Sequence, residues 1–391
     1  MNPLWYAGVA IAVAAATADP RAQYPAFLVN SYVGINAGYI DYAFSHRQLE
    51  AGFHAASIAI PHAAARVIVF GHAFNRYVSA QATYMRPVRY VTYSNVNGDG
   101  QAHHVWTHFG ALTVKTALPM TTRTSIYGEG GIGITSRHGF SKAGVPIVRD
   151  GHYASVLLGA GVERRINDAW DLTAGATYSP SSARENEPGT LFVSAGARYT
   201  MRTLPPERVA ANSRTDGVFP PNIVKIEYST GYGYGVNTFV SKTVPIFWGG
   251  SVKVDRGLAV HYDRNVFHTA RIFALDLGGS AAAWRSRDNH DAFVTLSVYP
   301  LLRFTLLRRR PADVFVEYSL AGPTVISRTV VDGQNTGSRF TFQDFMGAGA
   351  FIGRERRTQL SLKINHYSNG NLLSENAGLK IPLTVSVGWT F

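Results

Sequence analysis

The stretch Gln359 to Lys380, QLSLKINHYSNGNLLSENAGLK, holds the residue types that acyl transfer requires. A serine hydroxyl becomes a useful nucleophile only when a base takes its proton. His366 stands two residues before Ser368. In an extended chain successive side chains alternate faces. Leu360, Leu362, Ile364, His366 and Ser368 therefore share one face, and Ser361, Lys363, Asn365 and Tyr367 share the other. Strand geometry sets the Cβ atoms of His366 and Ser368 roughly 6–7 Å apart, within reach of a hydrogen bond between their side chains. Asn369, or a backbone N–H at Gly370 or Asn371, is placed to stabilise an oxyanion. Glu375 is the nearest carboxylate in sequence that a shifted loop would bring to the imidazole, and Asn376 offers an amide carbonyl instead. The competing reading is a polar rim where a strand leaves a membrane.

The elements that must position this pair read as strands of a membrane barrel. After residue 18 no stretch approaches the roughly 18 apolar residues of a membrane helix. Segments of about ten residues alternate in character instead, which is the mark of transmembrane β-strands. The chain has 391 residues, is 46% hydrophobic and only 16% charged, and carries Gly 38, Tyr 20 and Phe 21. The final strand alternates Leu383, Val385, Val387, Trp389 and Phe391 and ends on an aromatic, as outer-membrane barrels typically do. If it ends in the periplasm, loop 370–380 is external and the basic turn at Gly353–Arg357 is periplasmic. His366 and Ser368 then lie near the outer leaflet. Because they share a face with leucines, their substrate is expected to arrive sideways from lipid.

The composition narrows the partners. The net charge of +12 is scattered over turns such as Arg308–Arg310 and Arg354–Arg357, without a recognition motif. Nucleic acid is therefore not expected, and a phosphorylated lipid surface is. The absence of cysteine excludes disulfides and thiolate zinc sites. Residues 1–18 read as an export signal, an apolar core followed by the small-x-small box Ala16-Thr17-Ala18. His103, His104 and His108 read as a polar wall or loop edge and not as a metal site, since only His104 and His108 share a face. Gly128-Glu129-Gly130-Gly131 lies in a strand and lacks the Lys-Ser/Thr of a phosphate loop. Asp344 and Glu317 read as inward-facing carboxylates paired with arginine.

The fold expected is all-β: two tandem antiparallel eight-stranded transmembrane barrels after a signal peptide, at residues 30–201 and 222–391. The Pro-rich segment 202–221 is read as the linker between them. A single sixteen-stranded barrel is the rival. TTRTSIYGEGGIGI and LFVSAGARYTM resemble the OmpA-like barrel family over about residues 30–201.

From about Asn222 onward the chain resembles the PagL-type lipid A 3-O-deacylases of the acyloxyacyl hydrolase group. FVEYSLAGPTVISRT, NTGSRFTFQDFMGAGAFIG and INHYSNGNLLSENAGL carry the resemblance. It implies a bacterial outer-membrane serine esterase acting on lipid A of lipopolysaccharide without cofactor or metal. His366 would be the base, Ser368 the nucleophile and Asn369 the support of the oxyanion. One position departs from the family: a Glu is expected twelve residues after the serine, and Lys380 stands there. A lysine cannot accept the imidazole N–H. A non-catalytic barrel lacking the His–Ser hydrogen bond, and a phospholipase using the same pair, are the alternatives.

Overall fold

A computed structural model describes residues 19–215, 219–243, 249–373 and 375–391. The expected export signal lies outside the described residues. Two compact units divide the chain, one formed by residues 26–202 and the other by residues 1–25 with 203–391.

The first unit is a closed eight-stranded antiparallel barrel. Its strands are β1 (Ser31–Tyr42), β2 (Ala63–Ala73), β3 (Val78–Pro87), β4 (Ala102–Pro119), β5 (Thr124–His138), β6 (Gly151–Arg165), β7 (Trp170–Ser179) and β8 (Thr190–Thr200). The ring closes through the β1–β8 and β4–β5 ladders. Strands Val91–Val96 and Ala55–Ala59 extend the sheet beyond the upper part of β4. Outward residues such as Leu112, Ile132 and Val156 are apolar and exposed, the pattern of a wall that meets lipid. The interior is polar. Glu129, from the glycine-rich run, accepts from Arg66 at 2.7 Å and from Gln81 at 2.6 Å, while Asp171 binds Arg198 and Arg202. Its upper end is filled by Tyr42, Met85, Tyr93, Phe109 and Ile147.

The three histidines of this barrel are held in local hydrogen bonds. His103 Nε2 meets Asp99 at 2.7 Å, His104 meets Thr92 and His108 meets the Tyr84 hydroxyl at 2.6 Å. No group of metal-ligating side chains forms among the described residues.

The second unit is also a closed eight-stranded barrel: β9 (Asn222–Ser229), β10 (Val252–His268), β11 (Phe273–Ser286), β12 (Ala292–Arg309), β13 (Ala312–Ile326), β14 (Phe340–Ile352), β15 (Thr358–Ser368) and β16 (Leu379–Thr390). Its lumen is plugged by charge pairs. Lys225 meets Asp263 at 2.6 Å, Arg303 meets Asp276 at 2.8 Å, and Lys363 binds Glu227. All six are buried. Such pairs contribute little net stability but are costly to break.

The segment expected to be a plain linker is partly structured and belongs to this second unit. It forms helix α1 (Pro206–Ser213), which packs on the chain after residue 18. Asn212 Nδ2 donates to the Ala22 carbonyl at 3.0 Å, and Ser213 Oγ accepts from the Asp19 N–H at 3.1 Å. Residues 19–25 in turn clasp the lower end of β10. Tyr24 stacks on Phe267 with ring centroids 4.1 Å apart, and Asp19 reaches His268 at 3.3 Å.

Candidate active site

Strand β9 is short. Above Ser229 the chain leaves the wall, and the first residues of β10 and β16 pair directly with each other in parallel, Val252 with Leu379 and Lys253 with Lys380. The departing chain forms helix α2 (Tyr234–Thr243), which lies against β16. Asn237 Nδ2 donates to the Ile381 carbonyl at 2.9 Å, and the Leu383 N–H donates to the Tyr232 carbonyl at 3.1 Å.

The alternation expected of β15 holds. Leu360 and Leu362 are exposed on the outer wall, while Ser361, Lys363, Asn365 and Tyr367 are buried inside. His366 thus projects outward, not into the lumen. It is not open to lipid, however, and is only 1% exposed. Gly249, at the end of the loop that carries α2, covers it, and His366 Nε2 bonds the Gly249 carbonyl at 2.5 Å. A carbonyl only accepts, so Nε2 carries a proton in this arrangement.

Asp344 corrects the sequence reading. It is not an inward-facing carboxylate paired with arginine. On β14 the inward positions are Gln343 and Phe345, both buried, and Asp344 points outward directly opposite His366 in the β14–β15 ladder. Its Oδ2 lies 3.7 Å from His366 Nδ1. A register shift in β13 between Ser319 and Gly322 turns the Ala321 N–H toward it, and that N–H donates to Asp344 Oδ1 at 2.6 Å. A bulge of this kind re-aims local groups. One carboxylate oxygen is fixed and the other faces the imidazole. Glu317 does point inward, with its Oε2 3.8 Å from Arg303 Nε.

The remaining sequence candidates are brought together less fully. Ser368 ends β15 two residues from His366 and is half-buried. Beside it, His366 Nε2 is engaged by the Gly249 carbonyl. The side chain of Asn369 is committed elsewhere: Nδ2 donates to the carbonyls of Thr336 at 3.3 Å and Glu375 at 2.5 Å. Its backbone N–H donates to Asn376 Oδ1 at 3.0 Å, and Asn376 Nδ2 donates to Asn371 Oδ1. Asn376 therefore pins the loop. Glu375 contributes its carbonyl to Asn369 and is itself exposed, while the carboxylate of Asp344 stands beside the imidazole. Gly370 and Asn371 both adopt positive φ, 66° and 58°. The Gly370 N–H, two residues after Ser368, donates to no backbone carbonyl among the described residues.

Gly378 completes the site. Its φ is +58°, and a Cβ there would lie 2.9 Å from the Gly249 carbonyl and 3.5 Å from His366 Nε2. Only glycine lets the two loops close on the imidazole at this point. Below the Asp344–His366 pair, toward the membrane interior, runs a groove of about 590 Å³ between α2 and the outer wall. Val236, Val240, Met346, Leu362, Ile364 and Leu383 line it. The sequence reading missed this groove because α2 has no sustained apolar period to announce it.

Comparison with known proteins agrees with this architecture. Residues 256–390 match the family "Lipid A 3-O-deacylase (PagL)", and residues 29–196 match the "OmpA-like transmembrane domain". The chain is thus an outer-membrane β-barrel protein whose C-terminal part matches the one family model and whose N-terminal part matches the other. No curated protein matches it. Among solved structures it is similar to the outer-membrane enzyme PagL, at 18% identity over 44% of this chain and 99% of that one, with a TM-score of 0.31. It is also similar to the N-terminal barrel of Pseudomonas aeruginosa OprF, at 13% identity over 44% and 98%, TM-score 0.27. Neisserial surface protein A matches at 13% identity over 44% and 96%, TM-score 0.29.

Proposed function

We propose that the C-terminal barrel is a serine esterase that removes the ester-linked acyl chain at the 3-position of lipid A from the outer leaflet. The observation that carries this reading is the outward-facing Asp344–His366 pair, next to Ser368 and directly above an apolar groove. The acyl chain lies in the groove. The ester carbonyl then sits at the level of Ser368.

The contact between His366 and the Gly249 carbonyl gives way as substrate enters, and the imidazole proton shifts from Nε2 to Nδ1, on the Asp344 side, so that Nε2 is free to act as base. Ser368 Oγ attacks the ester carbon while its proton passes to Nε2. Asp344 stabilises the imidazolium through Nδ1, the role of the carboxylate in serine triads. Oxyanion charge falls to the Gly370 N–H. Asn369 holds the loop that presents this donor. The proton then moves from Nε2 to the leaving sugar oxygen, giving a free 3-hydroxyl and an acyl-serine. Water, activated by His366, releases the fatty acid and restores Ser368.

The Gly249 contact favours a second reading, in which the barrel binds lipid without cleaving it. Mass spectrometry of lipid A from cells expressing wild type or Ser368→Ala separates the two. Loss of one 3-hydroxyacyl chain with wild type alone supports the esterase. Unchanged lipid A in both, with the protein inserted in the outer membrane, supports the non-catalytic barrel.

A further inference from the structure

Four side chains stand in one row on the outer face of the second barrel. Asp344 on β14 is paired with His366 on β15, His366 with Lys380 on β16, and Lys380 with Lys253 on β10. Residues directly paired across neighbouring strands share a face, with Cβ atoms about 4.5–5.5 Å apart. The row runs carboxylate, imidazole, ammonium, ammonium. The last step exists only because β9 stops at Ser229 and lets β10 and β16 meet above it.

Two adjacent ammonium groups on one face repel each other, and like charges opposite one another in a sheet are destabilising. Among the described residues neither Lys253 nor Lys380 is in an ion pair, although this chain pairs most of its inward charges. Lys253 is exposed and Lys380 is half-buried beside His366. The pair lies in register with His366, at the same end of the wall as the site and beyond the apolar groove. That is where the head of a lipid with its chain in the groove would sit. Lysine is a strong point-charge ligand for phosphate.

We propose that Lys253 and Lys380 form a phosphate site for the head of an acylated glycolipid. The proposal rests on the esterase reading and names its substrate class: a phosphorylated one. It also accounts for a lysine at the place where a carboxylate was expected. A bare Lys380 ammonium next to His366 opposes formation of the imidazolium during attack. A phosphate dianion on Lys380 and Lys253 offsets that charge. Asp344 meanwhile serves the imidazole from the other side. The preference for phosphorylated substrate therefore enters kcat as well as KM.

The test compares bis-phosphorylated lipid A with the same lipid A after enzymatic dephosphorylation, using the full-length protein in mixed micelles. Folding is verified by heat-modifiable mobility. Wild type is expected to deacylate the phosphorylated form about tenfold faster in kcat/KM, the ratio that one charge-assisted contact supplies. In Lys253→Gln/Lys380→Gln the ratio should fall to within about twofold, the spread expected of an uncharged contact. Equal rates on both lipids with wild type, or a preference kept by the double variant, would overturn the proposal and leave the esterase reading intact. If wild type cleaves neither lipid, the esterase reading falls, and binding by Ser368→Ala decides the phosphate site. Phosphate-dependent retention that needs both lysines upholds it; equal retention of both lipids overturns it. Inorganic phosphate should displace bound lipid A only at large excess. Displacement at equal concentration would assign the site to free phosphate and overturn the lipid assignment.

Discussion

Asp344 and His366 face each other across two neighbouring strands, carboxylate to imidazole, with Asp344 Oδ2 3.7 Å from His366 Nδ1. Lys380 occupies the corresponding place on the strand at the other side of His366. The two strands that flank His366 thus offer it opposite charges, a carboxylate from one and an ammonium from the other.

Replacing the carboxylate of a serine triad with its amide lowers kcat by up to about 10⁴-fold. Asp344 stands farther from its imidazole than a hydrogen bond, so Asp344→Asn should lower deacylation by roughly 10- to 10³-fold. Introducing Lys380→Glu into that variant should restore part of the loss by supplying a carboxylate from the opposite strand. Initial rates of fatty-acid release from lipid A measure both, and a rescue absent at every pH would argue that Asp344 is merely structural.

Glu375 holds Asn369 through its backbone carbonyl, and the residue itself is exposed. Glu375→Gln should leave the rate of deacylation within about twofold of wild type, as expected for an exposed substitution with no buried partner. A loss comparable to that of Asp344→Asn would return Glu375 to the chemistry.

Gly378 has a left-handed backbone conformation and abuts both the Gly249 carbonyl and His366. Gly378→Ala adds roughly 1–2 kcal/mol of backbone strain and forces the loop carrying Gly249 away from the imidazole. Lower thermal stability of the folded band on gels, together with a changed kcat, is the expected result. An unchanged melting profile would contradict the close approach.

Ile364 lines the groove one step below His366 on the same face of β15. Ile364→Trp should shorten the acyl chains that are released without abolishing release of shorter ones, because added bulk in a groove discriminates by a few methylenes at about 0.8 kcal/mol each. Chain-length profiles of the released fatty acids test this directly.

The clasp of residues 19–25 should respond to acid. Partial burial alone would raise the Asp19 carboxyl, but hydrogen bonds from the Arg21 side chain and backbone and from His268 outweigh it and hold the group at about 2. A depressed carboxylate adds stability above its unfolded value of about 3.9, and that stability is lost as pH falls toward 2. Protease access to the segment should therefore rise between pH 4 and pH 2 in wild type. Asp19→Asn should show the higher access already at neutral pH.

Barrel strands were legible in the sequence because one face meets lipid and the other does not, so a period of two survives from Leu360 through Tyr367. The same period placed His366 and Ser368 on the outer wall. What it could not show is what covers that wall. Gly249 reaches His366 across 117 positions of chain, and no local pattern encodes such an approach. Asp344 was misread for a related reason. Its neighbours Gln343 and Phe345 are the inward residues, and an acidic group facing out is understandable only once its partner across the ladder is known. The segment 202–221 looked like a tether because its prolines break alternation. Pro206 instead opens α1, where the missing N–H costs nothing.

The clasp has a further meaning for how the chain is laid out. Residues 19–25 and 203–391 make one unit, with residues 26–202 between them in sequence. In effect, the OmpA-like barrel is a guest inserted into a host whose first and last segments are separated by the whole guest. A C-terminal barrel expressed from residue 203 would lack the partners of Ser213, Phe267 and His268. Residues 19–25 joined directly to residue 203 should preserve it. Trimming the protein to its C-terminal barrel therefore calls for excision from the middle, not truncation from the front.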